Sequence, residues 1–238
     1  HGPGRPIDVT QERTGFDPMS TQQSPATQDP ADRLPLRPLL RFASASFEQR
    51  FVEHYVSFYL RYAQASLVLG LVLVLGDFLV DFWAQPGLKA NFLRIELSLP
   101  VLALGLAFSF MPAARKHWQP VMAAFIAATA LCLFWILLRI DNEGGSGLKT
   151  WVGVLNFTFL EFYCFVILGV QFRYALASGT VILCAFESAM WSHAGLTGSE
   201  VAYWSYHVLT LFTLPAGIGW WREFLLRKEF AACTSLND

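Results

Sequence analysis

The sequence predicts an all-α fold: an integral membrane bundle of six helices, with a disordered N-terminal tail and a helix that exits into the cytoplasm. Composition is the first reason, since 54% of the 238 residues are hydrophobic and 15% charged, a balance far from that of soluble domains. The second is that apolar windows of about 20 residues recur along the chain, the length a helix needs to cross a hydrocarbon core about 30 Å thick. The third is punctuation. Lys, Arg and Trp gather at the ends of those windows, where charges and amphipathic indoles meet the membrane–water interface.

Residues 1–43 carry Pro, Gln, Thr and Asp with little to bury, as in TQQSPATQDPADR, and are expected to be disordered. They contain no signal-peptide core. Met19 reads as a native start, with residues 1–18 a non-native leader. Residues 44–61 are expected to form an amphipathic juxtamembrane helix. Ser46 and Gln49 have the spacing of a capping box, and Phe47, Phe51, Tyr55, Phe58 and Tyr62 recur at steps of three and four opposite Glu48, Arg50 and Glu53. This helix either lies along the inner leaflet or runs straight into the first span.

The spans read as Tyr62–Val80, Phe92–Met111, Val121–Ile140, Trp151–Val170, Tyr174–Ser192 and Tyr203–Trp221, together residues 62–221. Only Gln171, Phe172 and Arg173 separate the fourth from the fifth, which forces an antiparallel hairpin. Asp141–Lys149 has the glycines of a flexible turn. Residues 222–238 read as the start of a cytoplasmic transducer helix. With the N-terminus inside, Arg33, Arg37, Arg41, Arg50, Arg61, Arg115, Lys116, Arg173, Arg222, Arg227 and Lys228 are cytoplasmic, against Lys89, Arg94, Arg139 and Lys149 outside. That bias places both termini in the cytoplasm. Ala123, Ala124, Ala127 and Ala128 give the third span a small-residue face for close approach, within the bundle or between protomers.

Ionisable side chains inside spans are costly and normally face a bundle interior or a cavity, so they are the candidate functional residues. Asp77, Asp81, Arg94, Glu96, Arg139, Glu187 and His207 all fall toward the outer side. They read either as an acidic pocket for a cation or small cationic ligand, or as structural pairs, Asp77 with Arg94 and Arg139 with Asp141. Glu161 stands near the midplane and is expected to be protonated and hydrogen-bonded to Asn156 or Tyr163, in preference to a proton relay. His193 and His207 raise the question of haem, but His193 lies at or past the end of its span, so no cofactor is expected. The four cysteines lack metal or disulfide spacing, and the net charge of −1 gives no basis for nucleic-acid binding.

Pro215, with Gly217 and Gly219, allows the sixth span to bend before the charged stretch WWREFLLRKEF, Trp220–Phe230. Arg222, Glu223, Phe224 and Arg227 are candidate signal-output residues, and Phe224, Leu225 and Phe230 candidate contacts for a parallel partner helix. P-loop, HExxH, GxSxG and kinase motifs are absent from the sequence, and the short inner loops leave no room for catalysis.

Four stretches share a pattern: SFEQRFVEHYVSFYLRYAQASLVLGLVLVLGDFLVD, LRIELSLPVLAL, GVQFRYALASG and WREFLLRKEF. In their aromatic and charge placement they resemble the six-span N-terminal membrane domain of bacterial class III adenylate cyclases, a layout also found ahead of diguanylate cyclase domains. The resemblance implies a multi-pass protein of the bacterial inner membrane, acting as a homodimer. Its exit helix would lead to a cyclase domain in cis, with the active site formed between two catalytic domains. The family's metal-binding aspartates and purine-selecting residues have no matching positions here. The implied role is a sensor and dimerising anchor that relays an outer-side signal through the sixth span. The alternatives are a passive membrane anchor, a small ion transporter using Glu161, or a redox anchor.

Overall fold

The computed structural model describes residues 36–84, 92, 94–112, 114–139, 145–193 and 196–235. A short hairpin, β1 (Leu36–Arg37) and β2 (Arg41–Phe42), leads into α1 (Ala45–Ala84). A π turn, Arg94–Ser98, opens α2 (Leu99–Ser109). Then come α3 (Ala114–Arg139), α4 (Gly145–Phe162) with a closing π turn Tyr163–Ile167, α5 (Phe172–His193) and α6 (Gly198–Ser235). Each predicted span thus coincides with one helical element. Three helices, over Ala45–Val80, Lys116–Ile136 and Phe172–Trp191, are long and apolar enough to cross a membrane. The apolar helices Ile95–Ser109 and Gly153–Ile167 are shorter.

The hairpin corrects the expectation for the end of the tail. Residues 36–43 were expected to be disordered because their local composition has little to bury, yet Leu40 and Phe42 are buried against the rest of the chain. The chain reverses through Leu39 and Leu40, both at positive φ (63° and 60°). This conformation is unfavourable for a branched residue on its own and is held here by the docked side chains.

At the start of α1 the cap is Ser44, not Ser46. The Ser44 hydroxyl accepts the Phe47 N–H at 3.4 Å, and its carbonyl accepts the Glu48 N–H at 3.0 Å. Gln49 turns to Glu53 instead. Glu48 reaches back past the cap to the Phe42 N–H at 2.9 Å, a bond to the hairpin in place of the reciprocal bond of a capping box. At 40 residues, α1 is about 60 Å long at about 1.5 Å per residue. Residues 45–61 and the apolar window that follows them thus form one continuous helix.

In the bundle α1 packs along α2, α2 on α3, α3 along α5, and α6 against α4 and α5. Leu67, Leu102, Met122, Ile126, Phe157, Phe165, Leu168, Ile182 and Val208 form the shared core. Outside it, large apolar side chains stand exposed: Val72, Leu73, Leu79 and Val80 on α1, Leu104, Phe159, and Leu209 and Leu214 on α6. Only 22% of the apolar window of α1 is buried within the protein. A bundle this apolar on its outside matches surroundings that are themselves apolar. On α3, Ala123 faces the core while Ala124 faces outward. The helix α6 runs through Pro215 as one continuous helix.

Between α4 and α5 the chain turns at Gly169, which adopts φ +70°. A side chain there would be strained, and its Cβ would come within 2.8 Å of the Tyr59 ring. The short hairpin expected from sequence thus depends on this glycine, packed directly against α1.

Candidate functional site

The densest polar structure lies at the end of the bundle where α1 begins and α6 finishes. Its centre is Arg227, whose side chain is 1% exposed. Two of its N–H groups reach the two Glu48 oxygens, Nη1 to Oε2 at 2.7 Å and Nη2 to Oε1 at 3.1 Å. Its Nε donates to Glu223 Oε1 at 2.8 Å. The planar guanidinium lies over the Phe51 ring at 4.1 Å and the Phe42 ring at 5.1 Å. This is a bidentate ion pair with aromatic walls, the geometry in which arginine outperforms lysine.

The carboxylates on either side are tied further. Glu48 accepts the Phe42 N–H, as above. Glu223, also 1% exposed, accepts the Phe172 N–H at the start of α5 through Oε2. Glu223 and Arg227 are four residues apart and so share a helix face. Glu48 sits 179 positions before Arg227 in the chain. Arg222 donates to the carbonyls of Val166 (2.7 Å) and Val170 (3.1 Å), which close the π turn after α4, and it stands over the Tyr59 ring at 5.7 Å. Gln119, at the start of α3, accepts the Gln171 N–H at 2.8 Å. The exit helix is therefore fastened to α1 and to the α4–α5 turn at once.

Phe230 completes the structure. Its ring lies 5.4 Å from those of Phe47 and Phe51 and 5.3 Å from His54. Phe230, expected as a contact for a parallel partner helix, thus packs on α1 of its own chain and stays half-buried there. Phe224 stacks on Trp220 at 5.4 Å with the planes 7° apart, while Leu225 is 48% exposed.

Burial alone would raise the Glu48 carboxyl, but the Arg227 hydrogen bonds, the Phe42 N–H and the Arg227 charge outweigh it and hold it below the usual carboxylate range. A depressed acid binds fewer protons folded than unfolded, so its contribution is complete at neutral pH and is lost as pH falls through the folded value. Thermal unfolding followed from pH 7 downward should show a loss of stability below about pH 4.3, the ordinary range of a glutamate. Glu48→Gln should lack that component, and equal acid sensitivity in both proteins would refute it.

The outer residues that the structure describes have different surroundings. Asp77 lies on an exposed face of α1, and Glu96 is exposed in the π turn before α2. Glu187 accepts the Ser205 hydroxyl at 2.6 Å, linking α5 to α6. His207 sits among the rings of Tyr203 (4.4 Å), Trp204 (6.5 Å) and Tyr206 (5.4 Å). The side chains of Asp81, Arg94 and Arg139, together with Asp141 and the side chain of His193, lie outside the described residues. The expected pocket, and the alternative pairs, turn on those side chains. Among the described residues, no three His, Cys, Asp or Glu side chains are grouped to hold a metal ion.

Glu161 is completely buried, and neither carboxyl oxygen has a hydrogen-bond partner among the described residues. This corrects the expected bond to Asn156 or Tyr163. Two residues along a helix is a turn of about 200°, so Tyr163 faces away, and its hydroxyl donates to the Ser66 carbonyl on α1.

Arg222, Glu223 and Arg227, expected as signal-output residues at the start of a transducer helix, are all engaged here. Phe42, Gln119 and Gln171 carried no functional expectation, and Glu48 was expected only to lie opposite the apolar face of its helix. The one available signal for Glu48 was its position in the first turn of a helix that begins with serines. No protein family, curated protein or solved structure matches the chain.

Proposed function

We propose that the chain is the membrane sensor and dimerising anchor domain of a nucleotide cyclase of adenylate type. In this reading six helices span a bacterial inner membrane with both termini cytoplasmic. An outer-side ligand or cation is sensed near Asp77, Glu96, Glu187 and His207, and α6 relays the event to a catalytic domain in cis. The observation that carries the reading is the fastening of α6. It is one helix from the outer-side His207 to Phe230, and its end is held by Arg222, Glu223 and Arg227 against α1 and the α4–α5 turn. A displacement of α5 or α6 must therefore be expressed where the helix leaves the bundle, because the clasp makes those elements move together.

The same clasp suits a passive anchor, which needs rigidity and no signal. Joining the chain through α6 to a cyclase catalytic domain separates the two. Cyclase output should change several-fold when Glu48→Gln loosens the clasp without deleting the helix. Unchanged output, with the protein still folded and in the membrane, would leave the passive anchor as the better reading.

A further inference from the structure

Glu161 is enclosed where α4 meets α5, and it takes no part in the clasp. A buried carboxylate needs hydrogen-bond donors or a cation, and without them the group neutralises, because an isolated buried charge costs far more than a neutral acid. Among the described residues, no cation is committed to it. Arg222 serves the carbonyls of Val166 and Val170, and Arg173 lies over the Tyr174 ring. The other described ionisable groups nearest to it on the packed helices are engaged elsewhere or lie in other surroundings. The Cys164 thiol is paired with the Ser178 hydroxyl at 2.9 Å, Glu187 holds Ser205, and His207 lies among aromatic rings. Cys132 on α3 lines an apolar groove with Leu131 and Trp135, and Cys184 on α5 is exposed.

A metal ion fits no better, since a hard cation takes several oxygen ligands and the described residues offer no such group. On the Gly179 side there is no room for a larger guest. A Cβ added at Gly179 on α5 would approach Glu161 Oε2 to 2.8 Å and the Phe165 ring equally closely. A proton is the ligand that needs neither donors nor space. We propose that Glu161 is a proton-binding site, occupied in the folded protein, whose carboxylic acid is housed against the bare backbone of Gly179.

The site is linked to the exit helix. Phe165, one turn after Glu161, packs on Phe212 of α6 at 5.7 Å, and Gly219 of α6 comes so close to the Phe165 backbone that a Cβ there would lie 3.1 Å from its carbonyl oxygen. Releasing the proton would leave an unpaired carboxylate, which α4 and α5 can accommodate only by parting or admitting water. Either movement displaces Phe165 and with it α6.

Infrared difference spectroscopy of the full chain in lipid nanodiscs at pH 7, wild type minus Glu161→Gln, tests the site. The expected result is loss of a carboxylic-acid C=O band in the variant, and a shift of the same band in Gly179→Ala, where the added methyl group crowds Oε2. If Glu161→Gln does not fold, Glu161→Asp replaces it, and the acid band should move with the shortened side chain. A carboxylate band lost in place of the acid band, or spectra that do not differ in the acid region, would overturn the proposal.

Discussion

Replacing Arg227 with alanine should cost about 3–5 kcal/mol, because removing one partner of a buried ion pair leaves its opposites uncompensated. Here two carboxylates would be stranded, Glu48 and Glu223, the second of them 1% exposed. The aromatic walls formed by Phe42 and Phe51 would also close on an empty slot. Arg227→Lys should recover only part of the loss, since a single ammonium cannot meet Glu48 with two parallel bonds while also serving Glu223. Denaturant unfolding of the purified protein in detergent would measure both. The sharper test is the combined replacement of Glu48, Glu223 and Arg227 by apolar residues of similar size. It should be much less damaging than Arg227→Ala, because it removes the desolvation cost along with the attraction. An Arg227→Ala protein within about 1 kcal/mol of wild type, the worth of an exposed pair, would show that the clasp is not closed in solution.

The second large effect is expected at Phe165, which is completely buried between α4, α5 and α6. Truncation to alanine should cost about 3–5 kcal/mol through lost burial and the cavity left behind. The surroundings have little freedom to collapse. Phe172 and Phe212 hold two sides of the ring, at 6.2 Å and 5.7 Å, and bare glycine backbone at Gly179 and Gly219 holds others. Phe165→Leu, which keeps more of the volume, should lose less. Neither deficit should depend strongly on salt. High salt should leave the Phe165 deficit unchanged, and should change the Arg227 deficit little because that pair is enclosed. A Phe165→Ala variant as stable as wild type would mean that the three helices do not meet around this ring.

Much of the architecture was legible in the residues. Apolar windows locate helices without reference to anything distant, because the requirement they satisfy is local: enough consecutive apolar side chains to cover one helix. The short link Gln171–Arg173 announced a hairpin for the same reason. The ends of elements were less legible. Ser46 and Ser44 are both plausible caps by type, and the choice between them was made by Glu48 reaching Phe42, a contact that needs the hairpin to exist first. The tail boundary erred likewise, since Leu40 and Phe42 are unremarkable in composition until α1 and α6 supply a surface for them.

The functional residues divide along the same line. The i,i+4 spacing of Glu223 and Arg227 could be read directly, and so could the oddity of Glu161 in an apolar segment. What Arg227 does could not, because its main partner is 179 positions away and nothing in either local pattern names the other. Nor could sequence show that Phe230 packs on α1, or that Glu161 faces Gly179 while Tyr163 turns to α1. The sequence by itself determined that this is an all-helical, strongly apolar chain, and where its helices lie. Only the tertiary structure decided which charges are buried together, because the energy of an ion pair depends on separation in space and on the water excluded around it, and neither is written in the order of the residues.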